Sequence, residues 1–354
     1  MKALILSGGR GTRLRPITYT SAKQLVPIAN KPILYYVLEM VAAAGIRQVG
    51  MIVGETHEEI RMAVGTGEPW GLDVEYIPQD APLGLAHAVK ISRPYLGSSP
   101  FVMVLGDNIL RDGIASFVEE YQRVRPHTQI LLSKVKDPQR FGVAELDGNR
   151  VVSLEEKPPV PKSEYALVGV YLFDETIFDA VEAIRPSRRG ELEITDAIQY
   201  QIDRGHLVLP HIVAGWWKDT GRLEDLLEAN RLILDTLEPR LEGRVDAESV
   251  VDGRVVLDAG AELVRSVVRG PAIIGRRARI VNARIGPYTS IAAEVEVIGS
   301  EVVDSVVMAQ SRIVDIEGRL EGSLIGRNVQ VYRCPSPTAT LRLMLGDNSQ
   351  LGIS

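Results

Sequence analysis

The sequence predicts an α/β protein in which a mostly parallel sheet domain precedes a smaller, repetitive β domain. Over residues 1 to about 240, short apolar runs alternate with amphipathic helical patterns, which favours a sheet covered by helices on both faces. Beyond about residue 250, β-branched residues recur every six positions, which is typical of a stacked parallel β-helix. We therefore expect a Rossmann-like domain at 1–240 and a short left-handed β-helix with a C-terminal tail at 241–354.

The sheet domain is built from apolar runs that end at polar or glycine-rich loops. The expected strands are Lys2–Leu6, Gln48–Val53, Asp73–Pro78, Phe101–Leu105, Ile130–Lys134, Val168–Phe173 and Leu207–Val213. The expected helices include Ile33–Ala44, Glu58–Val64 and one at about Leu223–Thr236. Ligands of such sheets bind at the carboxyl ends of the strands. The Gly8–Arg15 loop and Gly106-Asp107-Asn108 each follow a strand, so both are expected to line one crevice.

The β-helix prediction depends on aliphatic residues that keep a six-residue step. They are Ile274 and Ile280; Ile285, Ile291, Val297 and Val303; and Ile325 and Val331. Four of the segments contain an Ile-Gly pair, as hexapeptide repeats do: Ile274-Gly275, Ile285-Gly286, Ile298-Gly299 and Ile325-Gly326. A small β-sandwich with accidental spacing is the alternative. Because the repeats are imperfect, we expect a few irregular coils, and from Cys334 onward a loop and a last strand.

Composition limits the possible partners and compartment. The chain has 354 residues, 45% of them hydrophobic, and a formal net charge of −6, which argues against a nucleic-acid or membrane-surface partner. Cys334 is the only cysteine, so neither an intrachain disulfide nor a cysteine metal cluster is expected. The first apolar run is too short for a signal peptide, and no apolar stretch reaches the roughly 18 residues of a membrane span. We expect a soluble, cytoplasmic protein.

The loop after the first strand carries the clearest chemical signal: Gly8-Gly9-Arg10-Gly11-Thr12-Arg13-Leu14-Arg15-Pro16. Glycines let the backbone approach phosphate oxygens, and arginine forks suit phosphate, so the loop predicts a nucleoside triphosphate ligand. The loop is neither a P-loop nor a dinucleotide fingerprint, because Leu14 occupies the third glycine position and Pro16 breaks any helix. An ordinary glycine-rich turn is the alternative, and Lys23 and Lys31 close behind argue against it.

The motif continues into a second segment, Ser21-Ala22-Lys23-Gln24-Leu25-Val26-Pro27-Ile28-Ala29-Asn30-Lys31-Pro32. Together the two segments resemble the signature of the sugar-phosphate nucleotidyltransferases, in the long form that carries a left-handed β-helix. The resemblance covers residues 1–240 and extends more loosely to the end. Within the family, the Lys23-Gln24-Leu25 string is similar to thymidylyl-transferring members, which implies dTTP and glucose-1-phosphate as substrates and Mg²⁺ as the cofactor.

The resemblance also implies roles for particular residues. Catalytic roles fall to Arg13, Lys23, Asp107, Lys157 and Asp219, of which Asp107 and Asp219 would hold the metal. The nucleotide would contact Leu6, Gly8, Gly9, Gly11, Thr12, Arg13, Gln24, Gln79, Pro82, Gly84 and Leu85. The sugar phosphate would contact Asn108, Phe141, Gly142, Glu156, Lys157, Val168, Gly169 and Trp217.

The residues themselves leave some of these roles open. A lone aspartate after a strand, such as Asp107, is more often a turn or cap residue than a Mg²⁺ ligand, and Asp219 or Thr220 could cap the following helix. Phe141 departs from the family's tyrosine, so a hydroxyl contact is in question. A carboxamide at Gln79 matches the thymine edge, but uracil presents the same edge, so use of UTP is expected as well.

The chemistry implied is displacement at an α-phosphorus by a phosphate oxygen that is already anionic at pH 7. No general base is needed, which agrees with the absence of histidine from these motifs; catalysis reduces to positioning and charge stabilisation. A bifunctional acyltransferase is the main alternative that the β-helix suggests. All five histidines (57, 87, 127, 206 and 211) precede the β-helix, which argues against it.

A non-catalytic regulatory subunit is a third alternative, and the presence of the five catalytic residues argues against it. The β-helix is then expected to serve as an oligomer contact, a lid or a regulatory surface, and a homo-oligomer is expected.

Overall fold

The structure is a computed structural model that describes residues 1–333, 344, 348–350 and 352. The loop and last strand predicted after Cys334 fall outside the described ranges. The chain forms two compact units: one comprises Met1–Arg10, Ser21–Leu25 and Ile33–Asp219, and the other Gly11–Thr20, Val26–Pro32 and Thr220–Ser354. A boundary near residue 240 stays a prediction.

The strands before residue 220 are β1 (Lys2–Leu6), β2 (Pro27–Ile28), β3 (Lys31–Pro32), β4 (Gln48–Val53), β5 (Asp73–Pro78), β6 (Phe101–Leu105), β7 (Asn108–Leu110), β8 (Thr128–Lys134), β9 (Gly142–Asp147), β10 (Arg150–Glu156), β11 (Tyr165–Phe173), β12 (Val208–Ile212) and β13 (Trp217–Asp219). The helices are α1 (Ile33–Ala43), α2 (His57–Val64), α3 (Leu85–Ile91), α4 (Arg93–Leu96), α5 (Ala115–Val124), α6 (Ile177–Ala183), α7 (Ile194–Asp203) and α8 (Leu223–Leu234). The seven predicted strands are confirmed, each boundary within three residues. Within the described residues, no helix is long and apolar enough to span a bilayer.

The main sheet of the first unit has the order β10-β9-β11-β6-β1-β4-β5, and β8 and β12 extend it from β11. The strands β5, β4, β1 and β6 are parallel, whereas β11 runs antiparallel to β6. Leu6 pairs with both Ile52 and Leu105, so β1, β4 and β6 end at the same level. The loops after β1 and β6 therefore start side by side, as the sequence predicts.

Alternate residues of β1 enter two different hydrophobic clusters. Ala3 and Ile5 pack with α1, α2 and α5, whereas Leu4 and Leu6 pack with α3, α6 and α7. A strand whose two faces are both covered needs apolar residues throughout, which explains the uninterrupted Ala-Leu-Ile-Leu run.

The second unit contains a parallel β-helix, in which strands of successive coils stack to form three sheets. Its strands are β14 (Arg240–Leu241), β15 (Arg244–Val245), β16 (Val250–Asp252), β17 (Val255–Leu257), β18 (Glu262–Val264), β19 (Val267–Arg269), β20 (Ala272–Ile274), β21 (Arg279–Val281), β22 (Arg284–Ile285), β23 (Thr289–Ile291), β24 (Glu296–Ile298), β25 (Glu301–Val303), β26 (Val306–Val307), β27 (Arg312–Val314), β28 (Arg319–Glu321), β29 (Leu324–Ile325) and β30 (Gln330–Tyr332). The sheets contain six, six and five strands.

The predicted aliphatic ladder forms the β-helix core. Ile274, Ile280, Ile285, Ile291 and Val297 are all buried. The prediction is wrong by one residue at Val303, because Val302 is fully buried and pairs with the buried Ile285. The sheet that contains β17 and β20 also has its outer face covered, since Leu234 of α8 packs on Val256 and Ile273.

Candidate active site

Lys23 and Asp107 form an ion pair at the end of β6. Lys23 lies in a short 3-10 turn, Lys23–Leu25, and its Nζ contacts Asp107 Oδ2 directly. The two side chains are only 8% and 17% exposed. Because charges removed from water need a partner, each of these groups stabilises the other. The structure thus joins two predicted catalytic residues that are 84 positions apart.

A short antiparallel ladder brings Asp219 to the same place. Strand β13 pairs with β7 so that Asp219 lies opposite Asn108, the residue after Asp107. Two carboxylates suit Mg²⁺, which completes its octahedral shell with phosphate oxygens and water. No cluster of three or more His, Cys, Asp or Glu that could hold a metal occurs in the described part of the chain, so phosphate would have to supply further ligands.

Unsatisfied polar atoms cluster near this edge of the sheet. Within the described residues, four buried polar atoms here have no hydrogen-bond partner: Ser7 Oγ, Gln24 Oε1, Asn108 Oδ1 and Trp217 Nε1. Ser7 and Gln24 flank Gly106, where a Cβ would lie 2.7 Å from Ser7 Oγ and 3.4 Å from Gln24 Cγ. Because buried polar groups are normally paired, these atoms are suited to bind a polar ligand.

Gln79 follows β5, and its side-chain amide is held in one orientation. Its Nε2 donates to Gly84 O at 3.3 Å and lies 3.0 Å from His87 Nδ1. Burial, followed by the charge of Lys90, lowers the pKa of His87, so at neutral pH the ring is uncharged and can accept the second bond. Both amide hydrogens are then used, which leaves Oε1 free to accept, close to Gly8.

The segment after Gln79 depends on a glycine. Gly84 has φ +101, and a Cβ there would lie 2.4 Å from Leu192 O. A side chain is therefore excluded at this position. The other two residues predicted to contact the base lie beside it: Pro82 is exposed, and Leu85 begins α3.

Glu156 ends β10, and Lys157 follows it in a strained backbone conformation. Lys157 has φ 45, and its backbone N–H donates to Phe141 O at 3.0 Å. Its Nζ lies 3.0 Å from Glu156 Oε1. Gly142 faces Glu156, and a Cβ there would lie 2.7 Å from Thr195. A left-handed lysine costs energy and is held by its surroundings, as is common at functional sites.

Phe141 and Trp217 form an edge-to-face aromatic pair with centroids 5.3 Å apart. Asn108 Nδ2 donates to Val168 O, which ties β7 to β11 just before Gly169. Gly169 has φ +84, and a Cβ there would lie 2.3 Å from Asn108 Nδ2. All the predicted sugar-phosphate residues therefore lie in the first unit, on or next to β7, β9, β10, β11 and β13.

Arg189 lies beside the predicted sugar-phosphate residues, and the sequence analysis did not single it out. Its guanidinium lies 2.8 Å from Glu193 and 3.2 Å from Glu156, the neighbour of Lys157. Glu193 is only 4% exposed. Burial, followed by the charges of Glu193 and Glu156, raises the pKa of nearby Asp196. In the sequence, Arg189 stands in a charged loop that looks solvated, so only the fold identifies it.

The glycine-rich loop is divided between the two units. Leu6, Gly8 and Gly9 belong to the first unit, and Gly11, Thr12 and Arg13 belong to the second. Gly11 has φ 62, and its carbonyl accepts a bond from Thr18 Oγ1 at 2.7 Å. The phosphate contacts assigned to these residues stay predictions.

A parallel sheet with a glycine-rich loop, a paired lysine and a carboxylate at the ends of its strands, and a second carboxylate on the neighbouring β13, is typical of a nucleotide-processing enzyme. Residues 2–236 match the family model described as nucleotidyl transferase, and the chain belongs to this family. It is 53% identical to a glucose-1-phosphate thymidylyltransferase of Streptomyces griseus over all of both chains. It is 54% identical to the enzyme of that name from Streptomyces antibioticus over 100% of this chain and 99% of that one.

A solved structure supports the same fold. A Bacillus anthracis protein assigned as a glucose-1-phosphate thymidylyltransferase, crystallised with sucrose, is 36% identical and aligns with a TM-score of 0.63. The alignment covers 68% of this chain and 98% of that one.

Proposed function

We propose that the protein transfers a thymidylyl group from dTTP to glucose-1-phosphate, giving dTDP-glucose and pyrophosphate. The observation that carries the proposal is the buried Lys23–Asp107 pair beside the loop after β1, in a chain 53% identical to enzymes of this name over its full length.

The reaction is an in-line displacement. A phosphate oxygen of glucose-1-phosphate forms a bond to the α-phosphorus of dTTP, and the bond from that phosphorus to the bridging oxygen breaks as pyrophosphate leaves. The attacking oxygen is anionic already, so no side chain removes a proton. The protein's task is to align the two substrates and to stabilise charge.

We assign the sites as follows. Arg13 and Lys23 contact the triphosphate and stabilise charge on the leaving pyrophosphate, and Lys157 holds the sugar phosphate. Glu156 accepts bonds from sugar hydroxyls, and Gln79 Oε1 accepts the N3–H of thymine. The short distances from Glu156 to Lys157 and Arg189 support placing a cation for the sugar phosphate beside the carboxylate for the hydroxyls.

The fold family uses divalent metals, and we propose Mg²⁺ with Asp107 and Asp219 as its protein ligands. Bound there, the ion would neutralise charge on the triphosphate. We also propose a cytoplasmic homo-oligomer with no nucleic-acid or membrane partner. Its catalytic domain would span 1–240 and its β-helix domain 241–354.

Selectivity for dTTP over UTP rests on the 5-methyl and 2′-hydroxyl groups, because both bases present the same edge to Gln79. One methyl in an apolar pocket contributes only about 1–3 kcal/mol. We therefore propose that UTP is a slower substrate rather than an excluded one.

The test is pyrophosphate release with Mg²⁺, in which dTTP, UTP, ATP, GTP and CTP are crossed against glucose-, mannose- and N-acetylglucosamine-1-phosphate. The proposal requires the highest kcat/KM for dTTP with glucose-1-phosphate. Faster turnover of another pair would keep the reaction class and change the substrates. No release with any pair would favour a regulatory subunit instead.

A further inference from the structure

The tight hairpin formed by β2 and β3 follows the Lys23–Leu25 turn directly and has an unusual backbone. Both residues of its turn, Ala29 and Asn30, have positive φ, 46 and 63. Asparagine tolerates this region, whereas the Cβ of alanine clashes with the backbone there. A strained alanine persists only where its surroundings fix it.

The surroundings that fix this turn belong to the second unit. Asn230 on α8 is only 1% exposed, and its Oδ1 accepts the N–H of Ala29 at 2.9 Å and the hydroxyl of Ser290 at 2.7 Å. Its Nδ2 donates to Tyr288 O at 3.0 Å. Asn30 Nδ2 donates to Ile291 O at 2.7 Å. The hairpin is thus hydrogen-bonded to α8 and to the β-helix at the same time.

Ser290 marks where this contact is built into the β-helix. In the stacked sheet it pairs with Ile273, which pairs with Val256, and these two form an apolar outer row under α8. A hydroxyl replaces the aliphatic side chain on the coil that meets Asn230. The polar residue is fully buried, and its bond to Asn230 offsets the cost of burying it.

We propose that Asn230 is a positioning residue for the nucleotide site, through which the β-helix holds the hairpin and, along the continuous chain, the Lys23–Leu25 turn. The β-helix then has a role in catalysis that is neither acyl transfer nor oligomer contact. Of the two tests below, only the kinetic one rests on the proposed function.

The kinetic arm compares Asn230→Leu with the parent in pyrophosphate release. The variant lacks the hydrogen bonds of the Asn230 side chain, and a loss of about 1–1.5 kcal/mol in transition-state stabilisation corresponds to a roughly tenfold lower kcat/KM for dTTP. The KM for glucose-1-phosphate should change less than about twofold. Ala29→Gly, which relieves the strain in the turn, is expected to restore part of the loss. Equal effects on both substrates would contradict a role at the nucleotide.

Hydrogen exchange gives a readout that needs no activity. In Asn230→Leu, exchange is expected to rise at residues 26–32 and also at 23–25. If it rises at 26–32 alone and dTTP kinetics stay parental, Asn230 is only structural and the proposal fails. If the parent itself releases no pyrophosphate, the proposed function fails while the exchange experiment still decides the inference.

A milder pair of variants covers the case in which Asn230→Leu does not fold. Ser290→Ala removes one bond to Asn230, whereas Ser305→Ala removes a buried hydroxyl that bonds Val303 O and the N–H of Ser323 within the β-helix. Both serines are fully buried. Ser290→Ala alone is expected to raise exchange at 23–25; the same result from Ser305→Ala would overturn the proposal.

Discussion

Replacing Lys23 by methionine tests the ion pair at the centre of the site. Methionine keeps most of the apolar stem but removes the ammonium that contacts Asp107. The Asp107 side chain, only 17% exposed, would lose its ion pair with the Lys23 ammonium. Removing one partner of a buried pair typically costs 3–5 kcal/mol, and the partial exposure favours a value of about 3 kcal/mol.

Differential scanning calorimetry in EDTA measures this cost. At about 2–4 °C per kcal/mol, a loss of about 3 kcal/mol lowers the melting temperature of the affected transition by roughly 6–12 °C. The double variant Lys23→Met/Asp107→Asn lacks both charges of the pair, so it should melt within a few degrees of the parent. Both variants should lose most of their activity, because the cation for the pyrophosphate is gone.

Magnesium adds a second readout. In the parent, a metal binding at Asp107 would compete with the Lys23 ammonium, whereas Lys23→Met removes that competition. Mg²⁺ should therefore raise the melting temperature of Lys23→Met more than that of the parent, and should not raise that of the double variant. Equal Mg²⁺ shifts in all three proteins, or a single variant as stable as the double one, would refute this account of the pair.

Three further predictions concern the sugar and base sites. Lys157→Ala should raise the KM for glucose-1-phosphate about tenfold or more and leave that for dTTP near parental, as initial-rate kinetics can show. The pKa of Asp196 is raised, so its carboxyl contributes its full stabilisation only below the unfolded pKa near 3.8 and loses it as the pH rises. Asp196→Asn should therefore raise the melting temperature at pH 7 and have little effect near pH 3.5. Protonation of His87, whose pKa is lowered, removes the acceptor for Gln79, so the KM for dTTP should rise as pH falls below 6.5, and His87→Leu should abolish that rise.

The local pattern of apolar residues was sufficient to predict the sheet and the β-helix, because both depend on periodic burial. The run Lys2–Leu6 is apolar throughout since β1 is covered on both faces, and the six-residue step persists since each coil side faces one core. The same logic failed at Val303, where uneven coil lengths move the buried position to Val302. The ladder of β7 with β13 was missed because each strand has only three residues.

Two features of the site could not be derived from local sequence. Arg189 lies 33 positions from Glu156, and only the packing of α7 against β10 brings the loop before α7 to the end of that strand. Likewise, no pattern indicates that Gly11–Thr20 and Val26–Pro32 belong with the β-helix, because their contacts involve partners some 200 or more residues away, such as Asn230 and Ile291. Such associations follow from tertiary hydrogen bonds, which carry no sequence period.

The ion pairs of the first unit give a physical account of how one site can take two anionic substrates. Each of three cations there contacts a carboxylate: Lys23 with Asp107, Lys157 with Glu156, and Arg189 with both Glu156 and Glu193. Pairing reduces the repulsion among cations gathered in one region, so the groups can be assembled before substrate arrives. An incoming phosphate then exchanges one anionic partner for another, which is less costly than desolvating a free ammonium. Glu193 is buried and accepts hydrogen bonds from Arg189 through both carboxylate oxygens, so Arg189 is held more firmly than Lys157. Lys157, 44% exposed and held by one contact to Glu156, is the cation most able to follow a sugar phosphate.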